Sequence, residues 1–314
     1  MQLKQMCQRI ATSEQLRRIL IVPAIFLIAA MVSGCATTVI TPELEEELGN
    51  EMSVQVREQI GLYADADLDD YLQRVGSRLV ASLGPTPYTF RFAIVDQFEP
   101  NAFASPGGFI YVSRGLMAQM NDEAELAGVL AHEISHVTRR HHARQIGRRV
   151  GAGLFTLPGR AVGVVSQDLG NLINAPVEAA GQVYLSSFSR GQESEADAYG
   201  MRLAANAGYN PMALADALSG IERTVEALTG KKHEASFFDS HPTTPTRVAD
   251  ISRESATLTV TPSPPIADQR QLYAHLDGMW VGVQNPQQGV FAGQTYLNAD
   301  LDFSITFPDK WETM

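Results

Sequence analysis

The sequence predicts an α+β protein, mainly helical, with a small β-sheet beside one long buried helix. Three observations carry that expectation. Apolar residues recur at helical spacing through two segments between residues 42 and 82, and in "YTFRFAIVD" aromatic residues alternate with polar ones as in a strand. A third helical segment then follows, apolar for most of its length, with two histidines one turn apart in its middle.

The chain has 314 residues, enough for one sizeable domain with extensions. Hydrophobic residues make up 45% and charged ones 19%, which supplies a packed core. The net charge of −11 argues against a nucleic-acid partner, which would call for a basic face.

Residues 1–34 read as an export leader. Lys4, Arg9, Arg17 and Arg18 precede the apolar run "ILIVPAIFLIAAMV", short for a membrane span, and the run ends in "VSGC". That ending has the pattern of a bacterial lipobox, so cleavage before Cys35 with acylation of its thiol is expected. A plain N-terminal membrane anchor is the alternative. Ala36 stands where an aspartate would signal inner-membrane retention, which by resemblance favours the outer membrane. Cys7 and Cys35 are the only cysteines, and Cys7 leaves with the leader. Any metal is then held by His, Asp or Glu.

The expected organisation after the leader is a domain over 35–258, a linker over 259–266 ("TVTPSPP" by composition) and an extension over 267–314, small or incomplete. Leu44, Leu48, Met52 and Val56 mark a first helix; Leu68, Leu72, Val75, Leu79 and Val80 mark a second, stopped at Gly84-Pro85. "YTFRFAIVD" reads as a strand, and "NAFASPGGFIYVSRGLM" as strand, tight turn and strand. Residues 122–149 read as one long helix capped by Asn121, with Asp122, Glu123 and Glu125 at its positive end. Residues 151–190, rich in Gly and Ala, suit either a helical hairpin over the site or a surface meeting lipid or a partner. A helix closed by Gly208 follows, then one opened by Pro211. The last predicted strand carries Phe303, Ile305 and Phe307, with no strand after it.

The chemistry concentrates in "HEISH". On a helix, His136 lies about 40° round from His132, so both imidazoles leave one face a turn apart and reach one zinc. Glu133, at about 100°, flanks the pair and is placed to act on a water rather than to bind. His141 and His142 fall at about 180° and 280° and read as a basic helix terminus with Arg139, Arg140, Arg144, Arg148 and Arg149. A catalytic zinc needs a third protein ligand, and "ESEAD" offers Glu193 and Asp197 four apart on one helix face. One of these carboxylates would bind the metal and the other would accept the free N–H of a ligand histidine. Glu195 points to the opposite side, toward solvent or a surface pair.

HEISH followed by Glu-x-x-x-Asp within "SRGQESEADAYG" resembles the gluzincin family of the CAAX-prenyl endopeptidase, HtpX and Oma-type proteases. "NAFASPGGFIYVSRGL" and "SHPTTPTRVADI" also match family patterns, so the resemblance covers roughly 45–255, and it runs closest to exported bacterial members. It implies a zincin-type metallopeptidase domain with one Zn2+ held by His132, His136 and Glu193. Glu133 is implied as general base and Asp197 as the acceptor that orients a ligand. His241 and Arg247 in "SHPTTPTR" are implied as oxyanion donors, His241 alternatively as a latch in the open zinc position. Asn101 and Ala102 are expected on an edge strand that pairs with substrate, an ordinary buried strand being the alternative. The activity so implied is that of an endopeptidase at the periplasmic face of a bacterial envelope, acting on unfolded or misassembled envelope proteins. A non-proteolytic chaperone on the same scaffold, or a hydrolase of non-peptide substrates, are the rival readings.

Overall fold

A computed structural model describes residues 40–147, 188–229, 237, 241, 245–280, 290–292, 295–298 and 303–306. The expected leader with Cys35 and nearly all of the Gly/Ala-rich stretch lie outside the described residues.

Helix α1 spans Pro42–Gln59, its N-terminus closed by the Thr41 hydroxyl, which accepts from Leu44 N, and by Pro42 in the first turn. Helix α2 spans Ala66–Ala81, capped by Asp65, whose carboxylate accepts from Leu68 N at 3.0 Å. Strand β1 (Arg91–Val95) follows, then β2 (Ala102–Ser105), a 3-10 turn over Pro106–Gly108, and β3 (Phe109–Ser113). The sheet order is β1-β3-β2: β1 runs parallel to β3 and β2 antiparallel to it, with Ala102 opposite Val112. The turn needs its glycines. Gly107 and Gly108 have φ of 77° and 98°, and a Cβ on Gly107 would lie 2.5 Å from Glu46 Cα. β2 is left at the sheet's edge, where α4 packs against it.

After the short α3 (Arg114–Met117) comes the central helix α4, Glu123–Thr138, in which every residue from Glu123 to Val137 is buried. Its cap is Asp122, one residue later than expected, accepting from Glu125 N at 2.9 Å; the Asn121 backbone and amide instead donate to the Glu125 carboxylate. The helix is also shorter than expected. It stops at Thr138, Arg140 takes a left-handed φ of 55°, and a separate helical stretch covers 141–147. Leu126, Val129, Leu130, Ile134 and Val137 bury their side chains in the main cluster. At about 1.5–3 kcal/mol each, they anchor the polar groups that share the helix.

Helix α5, Arg190–Asn206, opens with a capping box between Ser189 and Gln192 and turns out at Gly208, φ 88°. It crosses α4 at close range, since a Cβ on Gly200 would lie 3.0 Å from His132 N. Helices α6 (Ala213–Thr229) and α7 (Pro245–Ser255) pack on this pair. Residues 259–266 contain no helix or strand, but they are tied down: Thr261 N donates to Ala205 O and Arg78 Nη2 to Pro264 O. Helix α8 (Gln269–Leu276) then places Leu272 in the main cluster and stacks His275 on Tyr71. Strands β4 (Val290–Ala292), β5 (Thr295–Asn298) and β6 (Phe303–Thr306) form an antiparallel meander, so the partner of the last strand precedes it. No described helix is long and apolar enough to cross a membrane.

Candidate metal centre

Four side chains converge: His132 and His136 from α4, Glu193 from the first turn of α5, and His241 from the segment before α7. His132 Nε2 lies 3.0 Å from His136 Nε2 and 3.2 Å from His241 Nδ1. Glu193 Oε2 is 3.6 Å from His132 Nε2, and Oε1 is 3.5 Å from His136 Nε2 and 3.2 Å from His241 Nδ1. A tetrahedron with bonds of about 2.1 Å has edges of about 3.4 Å, so the set fits a zinc-sized ion. The charge balance points the same way. Among the described residues, three buried carboxyl groups, Glu133, Glu193 and Asp197, gather about one guanidinium, that of Arg247, a balance that a divalent cation would close.

Each ligand candidate is held from behind. His132 Nδ1 lies 2.9 Å from Asp197 Oδ1, and Arg247 grips Asp197 with Nε and Nη2 at 2.7 and 2.8 Å. Nη1 of the same guanidinium reaches Glu193 Oε2 at 2.8 Å and the His241 carbonyl at 3.3 Å. Positions 193, 197 and 200 share one face of α5, which explains how one helix delivers both carboxylates and the close crossing. Neither oxygen of Glu133 has a hydrogen-bond partner among the described residues; His241 Nε2 lies 3.4 Å from Oε1.

The electrostatics follow from burial and pairing. Burial works against a charge on His132, but Asp197 and Glu193 carry its pKa up to about 9. His136 moves the other way, well below its ordinary value, because burial is joined by the neighbouring His132 and His241. Burial raises the Glu193 carboxyl, yet His241 and His132 outweigh it and hold it well below the usual range. Asp197 is likewise lowered against burial, mainly by Arg247 and His132. With the imidazoles free of protons, this donor set attracts a cation.

Every sequence-predicted residue among the described ones can be placed. His132, His136, Glu193, Glu133, Asp197, His241 and Arg247 come together. Ala102 is fully buried on edge strand β2 and Asn101 precedes it, its Oδ1 buried without a partner. The segment carrying His241 docks beside them, Phe237 N donating to Pro100 O and the Phe237 ring stacking on His241 at 4.5 Å. Glu195 does form a pair near the surface, with Arg139 and Arg144, each at 2.7 Å.

His141 differs from expectation. It is fully buried, not the end of a continuous helix, and its Nδ1 lies 2.8 Å from His136 Nδ1. Burial, above all, depresses its pKa to about 4. Counting round an unbroken helix pointed it away from the site, and only the left-handed Arg140 brings it back. An arginine at that position carries no sequence signal for such a turn, which Gly or Asn would announce.

The sequence model of Peptidase family M48 matches residues 66–255, more than half of the chain. The chain is 29% identical over 240 residues to a "Beta-barrel assembly-enhancing protease" of Yersinia pestis, covering 74% of this chain and 48% of that protein. It is 30% identical over 184 residues to "Mitochondrial metalloendopeptidase OMA1" of Schizosaccharomyces pombe, covering 58% and 51%. With "Metalloprotease LoiP" of Escherichia coli (strain K12) it shares 26% over 189 residues, covering 60% and 71%. The chain thus spans half or less of the beta-barrel assembly-enhancing relative.

Proposed function

We propose that this chain, which belongs to peptidase family M48, is a zinc-dependent endopeptidase of the bacterial cell envelope. The observation that carries the reading is the buried convergence of His132, His136 and Glu193 beside a carboxylate, Glu133, whose oxygens have no hydrogen-bond partner among the described residues. His132 and His136 would hold the ion through Nε2 and Glu193 through its carboxylate. When bound, zinc supplies Lewis acidity, acidifying a water and polarising a carbonyl.

The protein's own groups perform the rest. Glu133 takes a proton from the attacking water on its carboxylate and later returns it to the leaving amine nitrogen. Asp197 fixes His132 in the tautomer that leaves Nε2 free. Arg247 commits its donors to Asp197, Glu193 and the His241 carbonyl, which supports a positioning part for it. His241 Nδ1 sits at ligand distance from the other donors, which favours the latch over oxyanion stabilisation; withdrawing it would open a position for substrate. The edge of β2 at Ala102 suits an extended peptide added by backbone pairing, a sequence-tolerant mode fitting unfolded substrates, while Asn101, whose N–H and C=O are both taken by Ser113, would meet it only through its side chain. The name of the beta-barrel assembly-enhancing relative supports envelope proteins as those substrates; the "VSGC" sequence supports an acylated Cys35 as the anchor to the outer membrane.

The test is chelator-sensitive cleavage of an unfolded envelope protein by the purified mature chain. Glu133→Gln is expected to keep one zinc and lose cleavage. Equal cleavage by the two proteins would remove Glu133 from the mechanism, and a chain that carries no zinc would remove the metal.

A further inference from the structure

Behind His136, on the side away from the metal donors, stands a second polar chain that the proposed reaction does not use. His136 Nδ1 lies 2.8 Å from His141 Nδ1, and His141 Nε2 lies 3.2 Å from Glu195 Oε2. Glu195 is in turn pinned by Arg139, through Nε and Nη2 on Oε1 at 2.7 Å each, and by Arg144 Nη2 on Oε2 at 2.7 Å. His141 is itself anchored, since its carbonyl accepts from Gln192 Nε2 at 3.1 Å and its ring lies against Phe188, which also stacks on His136.

The proton positions along this chain are forced once His136 offers Nε2 to a metal. A neutral imidazole with a free Nε2 carries its proton on Nδ1. That N–H donates to His141 Nδ1, which must then be the bare nitrogen, so His141 carries its proton on Nε2 and donates it to Glu195. Every donor meets an acceptor, and the chain ends on a carboxylate. His132 reaches the same end in one step through Asp197; His136 takes two.

We infer that His141 is a positioning residue of the metal site, holding His136 in its Nε2-free tautomer and orientation through a relay that ends on Glu195. The role rests on the zinc-site reading above and extends it to an imidazole outside the ligand set. Groups that hydrogen-bond a ligand histidine are worth about 10–100-fold in metal affinity. The left-handed turn at Arg140 acquires a purpose here, because it swings the residue after it back under His136.

The test compares zinc dissociation constants, measured by chelator competition, for the native chain, His141→Phe and His141→Asn. Phenylalanine keeps a ring but offers no acceptor; asparagine places an oxygen near the former Nδ1. About 10–100-fold weaker binding in His141→Phe, restored for the most part in His141→Asn, is the expected pattern. Native affinity in the phenylalanine variant, or equal weakening in both, overturns the inference and leaves a packing role. A native chain that binds no zinc overturns the site reading itself, and the relay with it. Nitrogen-15 NMR of the zinc-loaded native chain gives an independent readout: a bare His141 Nδ1 supports the relay and a protonated one overturns it. Should a His141 variant fail to fold, Glu195→Ala takes its place, expected to weaken zinc by a smaller factor; unchanged affinity there overturns the relay.

Discussion

Gly200 is where fold and site constrain each other most directly, and adding a methyl group there tests both. The Cβ of Gly200→Ala would lie 3.0 Å from His132 N and 3.1 Å from Ala131 C and His132 Cα. All three are backbone atoms of a helix buried on every side, so no side chain can swing away. Relief requires α5 to move off α4 by a few tenths of an ångström. Overpacking of this kind costs about 1–3 kcal/mol, against about 1 kcal/mol gained by replacing glycine with alanine inside a helix. The expected balance is a loss of about 0–2 kcal/mol for alanine and a larger loss for Gly200→Val, whose extra methyls meet the same wall. The displacement also falls on the face that carries Asp197 and Glu193, so the 2.9 Å contact from Asp197 to His132 lengthens and zinc binding weakens with it. Urea unfolding of the metal-free protein reads the first quantity and chelator competition the second. A Gly200→Ala chain stabilised by the full 1 kcal/mol or so, with native zinc affinity, would refute the close crossing from which both effects are derived.

Other outcomes follow from the same geometry. Arg247→Met strands Asp197 and Glu193 as buried carboxylates and is expected to cost about 3–5 kcal/mol in the metal-free protein; Arg247→Lys, with charge but no two-pronged grip, should recover part of it in the same unfolding assay. Tyr209→Phe removes the hydroxyl that donates to Glu123 Oε1 at 2.8 Å in the first turn of α4, for a loss of about 1–3 kcal/mol by thermal unfolding. The Glu195 carboxyl is held at about 2 because Arg144, Arg139 and His141 together outweigh burial. A lowered folded-state pKa gives stability that is present above the unfolded value, about 4.3, and lost as pH falls toward 2. The metal-free native chain should therefore lose more stability between pH 5 and pH 2.5 than Glu195→Gln, and parallel losses would remove Glu195 from the ion cluster.

How much of this was legible in the sequence depends on whether a residue's place follows from local periodicity. His132, Glu133 and His136 lie within one helical turn, so their mutual geometry is a property of α4 alone and can be counted off at about 100° per residue. Glu193 and Asp197 share a helix face in the same way, but their meeting with α4 depends on the close crossing at Gly200, a tertiary fact with no periodic signature. The resemblance to a known family supplied that link. His241 and Arg247 also entered through the resemblance, because the segment that carries them reaches the site by a path no spacing rule describes. The angular count that turns His141 away from the site holds only for a helix that continues past Thr138, and this one ends there. Two consecutive arginines are good helix formers, and nothing local marks the second as left-handed. What holds Arg140 there is tertiary: Nε and Nη2 bond the buried carboxylate of Glu45 at 3.0 and 2.9 Å, and Nη2 also reaches the Ile40 carbonyl. Tyr88 donates to the same Glu45 oxygen at 2.8 Å. Helix α1 thus fixes the turn that ends α4, and the turn places His141 against His136. Glu45, in another helix far earlier in the chain, decides whether an imidazole stands behind the metal site or faces away from it, which local sequence reading has no means to detect.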